Sequence, residues 1–225
     1  MESQCGHRRR LIGKLNQLST GAGSLYSYEL LEMLLFFVHK RRDTRSLSKE
    51  LLGRFKSITR IFSAPVCELK AQPGIGPQTV VLFRVIQELV IRMHLEKMQG
   101  EEILSSLDSA IKYCQLCMGG LRHEQLRLFC LNKRNCLITD VIIQEGQIDR
   151  INFDIKAIIG QAIAYKATAI IIVHNHPSNI SYPSDEDIQA TLQLKQLTDQ
   201  LGIKLNDHII ITQDSYFSMK QMDII

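Results

Sequence analysis

Apolar positions recur at two different periods along this 225-residue chain, and the change falls near its middle. In the first half the period is helical. Residues 28–38 predict one helix and residues 46–55 another, with Thr44 as N-cap and Leu47, Leu51, Leu52 and Phe55 forming a stripe at 3.6-residue spacing. Short helices are expected at 58–62 and 66–70. Another is expected over 105–119, where Gly119-Gly120 is a natural stop.

In the second half, strand-like runs appear at 126–131 and 137–143, separated by Asn132-Lys133-Arg134-Asn135, which reads as a hairpin turn. Residues 154–166 predict a helix with Ile155, Ile158, Ile159 and Ile163 on its buried side. Residues 168–174 are too apolar to face water on either side, so this strand should be central. A helix over 184–201 places Ala190, Leu194, Leu197 and Leu201 on one face, with Gly202 past its end. Strands at 203–211 and 216–219 complete the pattern. The expected class is α/β (α+β): a mixed β-sheet with flanking helices, preceded by a small all-α module. The expected domains are 1–98 and 103–225, with a linker near 97–102.

Composition adds limits. At 45% hydrophobic and 22% charged, the chain can bury a core. The longest candidate membrane run, residues 30–38, is nine residues and contains Glu32, against the roughly twenty a span needs. Arg8, Arg9 and Arg10 lead into no apolar signal region, so the expectation is a cytoplasmic protein with no membrane partner. Cysteines stand at 5, 67, 114, 117, 130 and 136. Only Cys114 and Cys117 have metal-like spacing and no second such pair follows, so the reading is reduced thiols, with that pair on one helix face. Charge is uneven: residues 1–98 carry 16 Lys/Arg against 8 Asp/Glu, and the remainder 11 against 15. A basic half beside an acidic half suggests two modules with different partners, the basic one a candidate for nucleic acid.

Within the basic half, Pro73-Gly74-Ile75-Gly76-Pro77 cannot continue a helix, and apolar residues on both sides mark flanking helices that Ile75 would plug. The segment resembles a helix-hairpin-helix motif. That resemblance implies backbone N–H groups of Gly74, Ile75 and Gly76 offered to a phosphate, and hence weak, salt-sensitive, sequence-independent DNA contact. No Lys or Arg follows Gly76 at once, since Pro77, Gln78 and Thr79 stand there.

The acidic half holds VHNHPSNISYPSDEDI, residues 173–188. Histidine is a poor way to finish a hydrophobic strand unless the imidazole is wanted there. Alternation puts His174 and His176 on one side and Asn175 opposite, at the rim where open α/β sheets place their sites. Two imidazoles two residues apart can lean onto one zinc ion, and a zinc site that does chemistry takes three protein ligands. Asp187 is the evident third. Ser184-Asp185-Glu186-Asp187 is also a capping box, which would aim Asp187 by setting the helix start.

His-x-His-Pro followed by Ser-x-x-Asp resembles the JAMM (MPN+) metalloprotease motif, and HNHPSNISYPSDED is more narrowly similar to RadC-like proteins. RLFCLNKRNCLITDVIIQEG and LNDHIII also resemble strands of that family, and the likeness runs from about Ser27 onward. It implies one Zn2+ per chain on His174, His176 and Asp187, Ser184 hydrogen-bonding the reacting water or oxyanion, and an upstream glutamate as general base. Glu124 is the best match, with Glu145 and then Asp154 as competitors. Asn175 stands where many JAMM peptidases carry a small hydroxyl residue. Phe153-Asp154-Ile155-Lys156 lacks the proline and arginine associated with the RadC branch. The function implied is a zinc-dependent amide or isopeptide hydrolase acting on a protein or peptide. The alternative is a non-catalytic DNA-repair accessory or scaffold whose zinc is a structural clip.

Overall fold

The short helices of the first half pack on one another because segments of 5 to 11 residues are not stable as isolated helices. In the computed structural model, which describes residues 2–18, 25–39, 43–98, 100, 102–103, 107–146 and 153–225, the chain forms two compact units, Met1–Gln87 and Glu88–Ile225. The expected linker lies partly outside the described residues, at 99 and 101. Met98 and Ile103 beside it are each 1% exposed and belong to the sheet's core.

The first unit contains α1 (Glu2–Leu18), α2 (Ser27–Leu35), α3 (Arg45–Phe55), α4 (Ile58–Ser63), α5 (Val66–Lys70) and the start of α6 (Pro77–Met98). Its core joins Leu31, Leu35, Leu47, Leu51, Ile61, Leu69, Ile75 and Phe83. Thr44 stands at the N-cap of α3 without a side-chain cap bond; its hydroxyl donates to the Glu32 carbonyl, so it ties α3 to α2. Gly74 has φ 93°, a left-handed conformation that a side chain would strain. It turns the chain so that Ile75 enters the core.

The second unit contains α7 (Leu107–Met118), β1 (Gln125–Leu131), β2 (Leu137–Glu145), α8 (Ile155–Ala164), β3 (Ala169–Asn175), α9 (Asp185–Gln200), β4 (Lys204–Ile211) and β5 (Tyr216–Ser218). Among the described residues the strands form one five-stranded sheet in the order β2-β1-β3-β4-β5, parallel only between β3 and β4. Every residue of β3 is buried, in keeping with its unbroken apolar run. Phe129, Ile171, Val173 and Ile209 pack with α7 residues, whereas Leu128, Ile170 and Ile172 pack with Ile158 of α8 and Leu194 of α9. The sheet is therefore covered on both faces.

Two stripes differ from the apolar pattern. On α8 Ala162 is buried and Ile163 is 56% exposed, because a residue five places beyond Ile158 has rotated well past the sheet-facing side. On α9 the buried positions are Thr191, Leu194 and Thr198, while Leu201 is 52% exposed. No helix among the described residues is long and apolar enough to cross a membrane.

Candidate metal centre

At the carboxyl end of β3 the backbone places His174 on the α8/α9 side, and Pro177 ends pairing two residues after the strand. His176 N–H makes a last bond to the Ile211 carbonyl at 2.9 Å, which anchors the start of the loop. Asn179, at φ 62°, turns that loop back toward α9. There the capping box sets Asp187: the Ser184 hydroxyl accepts from the Asp187 N–H at 3.1 Å, and Asp187 Oδ2 accepts from the Ser184 N–H at 2.8 Å.

The result brings three ligand-type side chains together. His174 Nε2 and His176 Nε2 are 2.9 Å apart; Asp187 Oδ1 is 3.5 Å from the former and Oδ2 3.6 Å from the latter. With a single carboxylate oxygen, the three donor atoms lie within 4.8 Å of one another. Donors at about 2.0–2.1 Å from a tetrahedral zinc are spaced about 3.4 Å apart. Seating an ion requires the two imidazole nitrogens to part by about 0.5 Å and the Asp187 carboxyl to turn one oxygen inward. His176 Nδ1 lies 2.8 Å from the Ile180 carbonyl, which can only accept, so Nδ1 carries a proton and Nε2 is the nitrogen left to face the cluster. These three side chains form a group that could hold a metal ion. The donor set fits zinc.

Burial and the Asp187 charge set the protonation of the three side chains in different directions. Burial pushes the His174 imidazole down to about 4, against the pull of Asp187, so the ring is neutral at pH 7. Burial also opposes charge on His176, but Asp187, the Ile180 carbonyl and Glu124 together raise it above its ordinary value. Asp187 would rise by burial, yet His176, His174 and Ser184 hold its carboxyl well below the usual range.

The candidate bases separate. Continuing the β1–β3 register, in which Leu126 faces His174, puts Glu124 opposite His176. Glu124 is half-buried and acts electrostatically on that ring. Glu145 sits 2.9 Å from His123 Nε2 and accepts from the Gln125 side chain at 3.3 Å. Asp154 caps α8, accepting from the Ala157 N–H at 3.0 Å. Ser184 donates its hydroxyl proton to Asp187 Oδ2 at 2.7 Å.

Asn175 and two residues that periodicity and motif did not single out, His208 and Thr191, also matter. Asn175 Oδ1 accepts from the Gln125 N–H at 2.8 Å and its Nδ2 donates to the His123 carbonyl at 3.0 Å. One side chain thereby grips both peptide groups of Glu124. His208 and Thr191 are each fully buried, with His208 Nε2 2.7 Å from His174 Nδ1 and His208 Nδ1 2.6 Å from Thr191 Oγ1. A histidine set directly before Ile209-Ile210-Ile211 in β4 was the available signal. Residues 104–224 match the family model described as the RadC-like JAB domain.

Proposed function

Because the chain belongs to the RadC-like JAB domain family, we propose that its second unit is a zinc-dependent hydrolase of amide or isopeptide bonds. The observation that carries this reading is the convergence of His174 Nε2, His176 Nε2 and the Asp187 carboxylate. His174, His176 and Asp187 would hold the ion. Bound there, zinc supplies Lewis acidity: it polarises a carbonyl and lowers the pKa of water to about 7.

The remaining work falls to the chain. Glu124, held through both its peptide groups by Asn175, takes the proton from water and returns it to the leaving amine. Ser184 keeps two bonds to Asp187, its N–H donating to Oδ2 and its Oγ accepting from the Asp187 N–H, so the hydroxyl proton can turn toward the developing oxyanion at the cost of the third. The carbonyl of Ile180 and the neighbour of His174 in β4 hold the two imidazoles from behind.

For the basic unit we propose non-specific DNA association through the 73–77 hairpin. The Ile75 N–H is committed to the Gln72 carbonyl, whereas neither the Gly74 nor the Gly76 amide has a backbone acceptor among the described residues. Those two glycines are the donors such contact would use.

Full-length protein supplied with zinc should retain one ion per chain, and His176→Ala should lose it. Glu124→Gln should keep the ion and the fold while abolishing turnover of whichever peptide or isopeptide probe the wild type cleaves. A wild type that stays zinc-free in excess metal overturns the metal centre. A zinc-loaded wild type inert toward a broad peptide and isopeptide panel overturns catalysis and leaves the scaffold role.

A further inference from the structure

We propose that His208 and Thr191 are positioning residues that lock His174 in the tautomer able to bind metal, an inference that rests on the metal-centre reading above. The direction of every proton in the relay follows from its last member. Thr191 Oγ1 lies 2.5 Å from the Asp187 carbonyl oxygen, which can only accept, so the single hydroxyl proton must point there. The same Oγ1 is 2.6 Å from His208 Nδ1 and, with its proton spent, must accept; His208 Nδ1 therefore carries a hydrogen. In the neutral ring that leaves His208 Nε2 bare. His174 Nδ1, 2.7 Å away, must then be the protonated nitrogen, and His174 Nε2 is left with a free lone pair facing His176 and Asp187.

The opposite polarity fails at one point. If Thr191 gave its proton to His208, two oxygens without a hydrogen between them would face each other at 2.5 Å. No water enters to rescue that arrangement, since His208 and Thr191 are 0% exposed and His174 is 1% exposed. Phe153 adds to the enclosure, its ring lying edge-on with centroids 5.4 Å from His208 and 6.0 Å from His174.

The relay also joins two ligands that come from different elements. It begins on the ring of His174 in β3, crosses β4 at His208, and ends on the backbone of Asp187 in α9. Orientation of the first ligand is thereby tied to placement of the third. Metal-bound histidines ordinarily give their second N–H to a carboxylate, carbonyl or water, and loss of that partner lowers metal affinity about 10–100-fold. Here an imidazole takes that role, and it can do so only because Thr191 sets its tautomer.

The test compares full-length wild type, Thr191→Val and Thr191→Ser. Zinc affinity is read by competition with a chromophoric chelator, and histidine tautomers of the metal-free proteins by two-bond proton–nitrogen NMR. Thr191→Val is nearly the same shape but has neither donor nor acceptor. It should weaken zinc binding about 10–100-fold and give His174 mixed tautomers. Thr191→Ser, which keeps the hydroxyl, should restore both. Wild-type affinity and a single His174 tautomer in Thr191→Val would overturn the relay, as would a serine variant as weak as the valine one. Where Thr191→Val fails to fold, wild-type NMR decides: a proton on His174 Nε2 in the metal-free protein contradicts the relay. Absence of zinc binding by wild type would instead sink the metal-centre reading, and with it this one.

Discussion

Side chains in the second unit show how strongly burial governs chemistry at single residues. Burial raises the Cys117 thiol to about 11, against the opposing pull of Arg127, and burial raises Cys130 to about 11 as well. Thiolate is the reactive form, and below its pKa its fraction grows about tenfold per pH unit. Neither residue should therefore react appreciably with iodoacetamide at pH 8, whereas exposed Cys67 should. Between pH 8 and pH 10 the Cys117 rate should climb about a hundredfold, measured by peptide mass mapping of native protein. Rapid pH-independent labelling of Cys117 at pH 8 would contradict the burial argument. The same physics keeps His174 neutral, but there the lone pair is directed into a site instead of hidden.

At the scale of elements, caps do two kinds of work. Ser184 and Asp187 start α9 and in doing so present a ligand, so the helix boundary is part of the site. Asp154 starts α8 by accepting from the Ala157 N–H, a cap that presents no ligand. Its replacement should separate structure from chemistry. Asp154→Ala is expected to cost about 1 kcal/mol of stability, read as a lowered denaturant midpoint with unchanged slope. Zinc content and any hydrolysis should remain at wild-type levels. Loss of turnover with intact zinc would return Asp154 to candidacy as the base. The threonines of α9 carry a related lesson: Thr191 and Thr198 occupy the buried stripe, where hydroxyls can be satisfied by carbonyls one turn back.

For the whole molecule, the division of charge predicts behaviour that neither unit's core explains. With 16 Lys/Arg against 8 Asp/Glu in residues 1–98, association with duplex DNA should come from counterion release. Affinity of the full chain should fall linearly on a log–log plot against salt and be indifferent to sequence, measured by fluorescence anisotropy from low to physiological ionic strength. Binding insensitive to salt, or none at low salt, would remove this reading. The acidic remainder, 11 against 15, should contribute nothing to that slope.

Local pattern alone determined most of the scaffold and three clustered side chains. The apolar run of β3 required a central strand, the turn at 132–135 required a hairpin, and His-x-His-Pro with Ser-x-x-Asp named His174, His176 and Asp187 because all lie within one short loop and its flanks. What lay outside that reach depends on residues distant in the chain. Asn175 gripping Glu124 spans fifty positions, and His208 backing His174 spans thirty-four. Hydrophobic periodicity reports which side of an element meets the core, and it is blind to buried polar side chains whose worth comes only from a partner. Thr191 and His208 acquire a role only when the sheet and α9 bring them to hydrogen-bonding distance. The direction of each proton in that line was decided last, by a single carbonyl that can only accept.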